Sequence, residues 1–145
     1  MKTHILCLGD SNTHGYCADP NDCADHGIRF NEEERWTCRL QKALGDEYLV
    51  TEEGLSGRTT VFVDPIHESM DALSVIYALL KSHEVIDLLI IMLGTNDVKE
   101  RFGANAACIA AGMERLILKA KSVDCWGTKP VSYTHLRAHE TGAYL

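Results

Sequence analysis

The stretch Ile5-Leu6-Cys7-Leu8-Gly9-Asp10-Ser11-Asn12 decides the reading of the fold. Four apolar residues in a row predict a short strand buried on both faces, as a parallel sheet requires. Gly9 then permits a tight turn, and Ser11 follows almost at once. A hydroxyl therefore stands at the carboxyl end of a strand, where open α/β sheets place their ligands. Such a turn can lead into a helix start, whose free N–H groups favour developing negative charge. A serine there becomes a nucleophile only with three helpers: a base, a group that orients the base, and N–H donors for a tetrahedral oxyanion.

Working outward, two more strands end in the same way. Gly54-Leu55-Ser56-Gly57-Arg58-Thr59-Thr60 follows the strand-like Tyr48-Leu49-Val50-Thr51, and Gly94-Thr95-Asn96-Asp97 follows the continuous apolar run Leu88 to Leu93. In a parallel sheet these three ends share one rim, so Ser11, Gly57 and Asn96 are expected to meet in one cleft. Gly57 has no side chain to keep a ligand from its N–H. Asn96 offers an N–H₂ donor, although asparagine is equally at home in a plain turn.

With these motifs in order, Ile5 to Tyr16, Glu52 to Thr60 and Ile90 to Asp97 resemble the SGNH (GDSL-type) hydrolases, and most of all their small bacterial arylesterase/acyltransferase branch. The likeness covers about residues 4 to 130. It implies ester hydrolysis through an acyl-enzyme on Ser11. It also implies an oxyanion hole formed by the Ser11 N–H, the Gly57 N–H and the Asn96 side chain. Asp10, His14 and Tyr16 are the expected pocket residues. The family's base and its orienting acid come from an Asp-x-x-His near the C-terminus, and no such motif stands in that position here. His135 and His139 are the histidines of that region, but positions 132 and 136 are Ser and Leu.

Composition narrows the class. The 145 residues suit one domain with a modest core, and the net charge of −7 argues against nucleic acid, whose binding needs clustered Lys and Arg. No run of about 18 apolar residues predicts a membrane span. The opening Met1-Lys2-Thr3-His4 runs straight into a strand and lacks the apolar region of a signal peptide, so a cytoplasmic setting is expected. The six cysteines then read as free thiols. Cys17, Cys23 and His26 match no common zinc spacing. No metal or cofactor is implied, a small-molecule ester is the expected partner, and homo-oligomerisation stays open.

Periodicity fills in the remainder. Residues 12–31 read as a long polar loop on the active rim. Residues 32–44 read as a helix with Trp36, Leu40, Ala43 and Leu44 on its apolar face and Glu32, Glu33 and Glu34 in its first turn. Strands are expected at 4–8, 47–53 and 86–93, the last an apolar run typical of a central strand that the loss of the final strands would leave at the sheet edge. Helices are expected at 68–82, with Met70, Leu73, Tyr77 and Leu80 inward, and at 104–121, with Ala106, Ile109, Met113, Leu116, Ile117 and Ala120 inward. Asp97 reads as a loop anchor rather than a reacting group.

The expected fold is thus a three-layer α/β/α sandwich with a flavodoxin-like parallel sheet, incomplete at its C-terminus. Residues 1–130 form the hydrolase part. Residues 131–145 read as a non-family tail, with no strand-like apolar run and the look of appended sequence. The leading alternative is a non-catalytic α/β fragment that binds an acyl or sugar ligand. A phosphate binder using the Gly9–Gly15 loop is disfavoured, because that loop lacks the phosphate-cradling pattern and any basic residue.

Overall fold

Strand β1 (Thr3–Gly9) lies between β2 (Tyr48–Gly54) and β3 (Leu88–Met92) in a three-stranded parallel sheet. The structure, a computed structural model, describes residues 1–128. Register aligns Gly9 with Gly54 on one side and with Met92 on the other, so the three strands end flush. The right-handed crossovers of parallel strands call for helices between them. The chain supplies α2 (Trp36–Leu44), α3 (Ala72–Ser82) and α4 (Ala106–Ser122), while a single turn, α1 (Ser11–His14), follows β1 directly.

The two faces of β1 are covered from opposite sides. Leu6 and Leu8 alternate with Ile5 and Cys7. Leu6, Leu8, Leu89 and Ile91 form one core with Ile76 and Leu80 of α3 and Met113, Leu116 and Ala120 of α4. On the other face α2 packs on β2. There Glu52, the register partner of Cys7, accepts hydrogen bonds from Arg35, Thr37 and Cys38. This is the three-layer α/β/α arrangement expected from the sequence.

Several boundaries differ from expectation for local reasons. Residues 12–14 of the expected loop belong to the helical turn α1, because Asp10 caps it by accepting from the Asn12 N–H at 2.9 Å. Helix α2 begins at Trp36, not at residue 32. Asn31 folds residues 31–35 into a turn by accepting from the Glu33 N–H through its side chain and from the Glu34 and Arg35 N–H groups through its carbonyl. Glu34 is therefore not complementing a helix dipole; its carboxylate holds the Ala24 and Asn31 N–H groups. Ala43 is exposed. Helix α3 starts at Ala72 because Asp71 caps it, and Met70 lies outside it. Its inward face is Ala72, Ile76 and Leu80, whereas Tyr77 is 58% exposed. Ala106 is likewise exposed at the start of α4.

The apolar run 88–92 is not a central strand among the described residues. β3 is an outer strand in which Leu89 and Ile91 are buried while Leu88, Ile90 and Met92 are half-buried. At its start, the Ile86 N–H donates to Cys125 and the Gly127 N–H donates back to Ile86, each at 2.9 Å. The expected tail at 131–145, with His135 and His139, lies outside the described residues. All six cysteines are free; Cys7, Cys17, Cys23 and Cys125 are buried, Cys38 is intermediate and Cys108 is exposed.

Candidate functional site

Ser11 is the first residue of α1, two positions past the flush end of β1, and it is half-buried. The turn can sit this low because the strands beneath it end in glycine. A Cβ on Gly9 would lie 2.0 Å from the Thr13 hydroxyl, and one on Gly54 would lie 2.2 Å from the His14 nitrogen. The Thr13 side chain against Gly9 and the α1 backbone against Gly54 thus seat α1 on the ends of β1 and β2.

The other two turns are tied to this one by hydrogen bonds. The Leu55 N–H donates to the Gly9 carbonyl at 3.2 Å, and the Arg58 N–H donates to the Leu55 carbonyl at 3.0 Å. Between them Gly57 adopts φ +91°, a conformation that side chains resist. The Asn96 side-chain N–H₂ donates to the Arg58 carbonyl at 3.1 Å in a buried contact. Asp97, fully buried, accepts from the Thr60 N–H at 2.9 Å and from the Thr60 hydroxyl at 2.6 Å. Burial pushes the Asp97 carboxyl up, the two Thr60 donors pull it down, and Asp10 adds to the upward push. This is the anchoring role the sequence suggested for Asp97.

The side chain of Arg58 fills the space beneath the rim. It is 5% exposed, and its Nη1 donates to the Glu53 carbonyl at 2.6 Å and to the Gly9 carbonyl at 3.4 Å. Its Nε has no hydrogen-bond partner among the described residues. Burial lowers its pKa, opposed by the negative charges of Glu53 and Asp10. Sequence reading gave Arg58 no role, since its partners at Gly9 and Asn96 are distant in the chain.

Asp10 is 1% exposed, and its carboxylate also accepts from the Asn12 side chain at 3.1 Å. His14 is half-buried, and its carbonyl accepts from Arg29 at 2.8 Å. Tyr16 is 52% exposed and pairs with Arg29 in an isolated antiparallel bridge. Cys17 and Cys23 donate to the Asp19 and Arg29 carbonyls. Among the described residues no three His, Cys, Asp or Glu side chains are grouped to hold a metal. No described helix is long and apolar enough to cross a membrane.

One Asp-x-x-His pair escaped the sequence reading because it stands in the middle of the chain. Asp64 and His67 approach to 3.4 Å, but the same Asp64 oxygen accepts from Arg101 at 2.7 Å, and the other accepts from the Ile66 N–H at 2.9 Å. The His67 side chain is 55% exposed. The carboxylate is thus committed to joining loops.

Residues 7–143 match the profile of the GDSL-like Lipase/Acylhydrolase family. Among solved structures, the native aryl esterase of M. smegmatis is 38% identical with a TM-score of 0.78, the match covering 92% of this chain and 62% of that one. A carbohydrate acetylesterase family member from Sinorhizobium meliloti is 36% identical with a TM-score of 0.76, covering 94% of this chain and 61% of that one. The chain therefore spans less than two thirds of the length of either structure. A search among curated proteins found no match.

Proposed function

Because the chain belongs to the GDSL-like lipase/acylhydrolase family, we propose that it carries the nucleophile half of a serine esterase acting on small carboxylic esters. Ser11 Oγ attacks the carbonyl carbon as its proton passes to a base. The carbonyl oxygen becomes an oxyanion held by the Ser11 N–H, the Gly57 N–H and the Asn96 amide. Collapse expels the alcohol and leaves an acyl group on Ser11. Water then completes hydrolysis, or a second alcohol takes the acyl group. Acetate esters of aryl or sugar alcohols are the substrate class, by analogy with the named solved structures. The setting is cytoplasmic, in keeping with the acidic composition and free thiols.

The observation that carries this reading is the hydrogen-bonded linkage of the three turns, Leu55 to Gly9 and Asn96 to Arg58. These bonds connect the three proposed donors through a few covalent steps each. A second reading, a binding fragment without turnover, is favoured by the missing Asp-x-x-His in the C-terminal region. One experiment separates them. The chain is incubated with p-nitrophenyl acetate, p-nitrophenol release is followed, and the acetyl adduct is located by peptide mass spectrometry. The expected result is acetylation at Ser11, with both adduct and release lost in Ser11→Ala. Release unchanged in Ser11→Ala would remove Ser11 from the mechanism, and ligand binding with no adduct would support the second reading.

A further inference from the structure

We propose that Arg58 is a positioning residue that holds the three donor-bearing turns in mutual register for ester attack; this rests on the reading of Ser11, Gly57 and Asn96 given above. Burying a guanidinium is costly, and a neutral side chain could fill the same space at less cost. Its hydrogen bonds show what the charge accomplishes. One nitrogen, Nη1, donates to the carbonyls of Glu53 and Gly9, near and at the ends of two adjacent parallel strands. The Arg58 main chain reaches the remaining two elements. Its N–H closes the turn that contains Gly57, and its carbonyl takes one N–H of the Asn96 amide. An amide nitrogen has two N–H groups, so one is left for a ligand oxygen, and the fixed bond sets where it points.

No other residue described above touches all three turns. Loss of the side chain frees the Gly9 and Glu53 carbonyls from their common donor, and the turn that orients Gly57 and Asn96 loses its footing. The effect belongs to the transition state, because the donors aim at charge that develops only there. Turnover should suffer while substrate binding is preserved.

The test compares Arg58→Met and Arg58→Lys in the 145-residue chain. Each is measured by p-nitrophenyl acetate turnover above the Ser11→Ala background and by ¹H–¹⁵N spectra, with the Asn96 side-chain amide assigned through Asn96→Ala. Arg58→Met is expected to lower kcat by about 30-fold with KM within about 2-fold. The Ser11, Gly57 and Asn96 resonances should shift while those of β3 hold. Arg58→Lys should recover part of kcat, since an ammonium still reaches one carbonyl. If Arg58→Met does not fold, Arg58→Lys carries the test, with a smaller kcat loss and the same resonances displaced. Unchanged kcat, a loss confined to KM, or shifts spread equally through β3 would overturn the proposal. Wild-type turnover equal to the Ser11→Ala background would instead count against the reading of Ser11, and the resonances would still judge whether Arg58 sets the turns.

Discussion

At the scale of single residues, the proposed oxyanion donors make the sharpest predictions. In any chain of this sequence that turns over, Asn96→Ala should lower kcat by about 10²–10³ with little change in KM, read by steady-state ester hydrolysis. Gly57→Val should do more damage, because a branched residue at φ +91° strains the turn as well as obstructing the N–H. His67→Ala should leave turnover unchanged, since its partner Asp64 is already bound to Arg101; a large loss would make Asp64 and His67 the missing acid and base. The placement of Ser11, Gly57 and Asn96 in turns after the three strands was legible in the sequence, because each turn follows an apolar run and turn chemistry is local. Arg58 was not, because its role depends on carbonyls brought to it by the sheet. The Asp97 partner was not legible either: Thr60 lies 37 positions away.

At the scale of elements, loops on the rim are tied together by charge. Arg101, in the short helical turn after β3, donates to Asp64 in the loop after β2 at 2.7 Å, and Phe62 packs against Phe102 at 6.0 Å. Burial raises the Asp64 carboxyl, but the Arg101 bond, the Ile66 N–H and His67 outweigh it and bring it down to about 2. A carboxyl lowered on folding stabilises the fold above its unfolded pKa, near 4, and loses that contribution as pH falls through about 2. Asp64→Asn should therefore be less stable than the parent at pH 7, with the gap narrowing between about pH 4 and pH 2. Urea titrations across that range check this. Strands and helices were legible from periodicity, but α2 and α3 began late. The Asp71 side chain caps α3, and the turn closed on Asn31 takes up residues 31–35 ahead of α2, neither of which an apolar pattern registers. Tyr77 misled for a related reason: its position was judged on a helix phased from Met70, which lies outside α3.

At the scale of the whole molecule, the described residues hold a three-stranded parallel sheet with the turns of Ser11, Gly57 and Asn96 at one end. The 145-residue chain should hydrolyse acetate esters at least about a thousandfold more slowly than a longer chain of the same sequence carrying an Asp-x-x-His, by the non-additive logic of triads. Ordinary esterase rates that vanish in His135→Ala or His139→Ala would place the base in residues 131–145. The outer position of β3 among the described residues, with Leu88, Ile90 and Met92 half-buried, predicts concentration-dependent self-association. Leu88→Lys should reduce it in light-scattering measurements. The layered fold was legible because three apolar runs each met a glycine turn; the apolar run 86–93 alone suggested a central strand, and its edge place among the described residues was legible only from the missing strand-like run after residue 130. The cysteines give this molecule a built-in labelling scheme. Cys108 is exposed at the start of α4, whereas Cys7 sits in the central strand, where burial and then Glu52 push its thiol up to about 12. A maleimide dye will thus mark Cys108 first, beside the rim but outside the proposed site. Later uptake at Cys7 reads out how often the sheet itself comes apart.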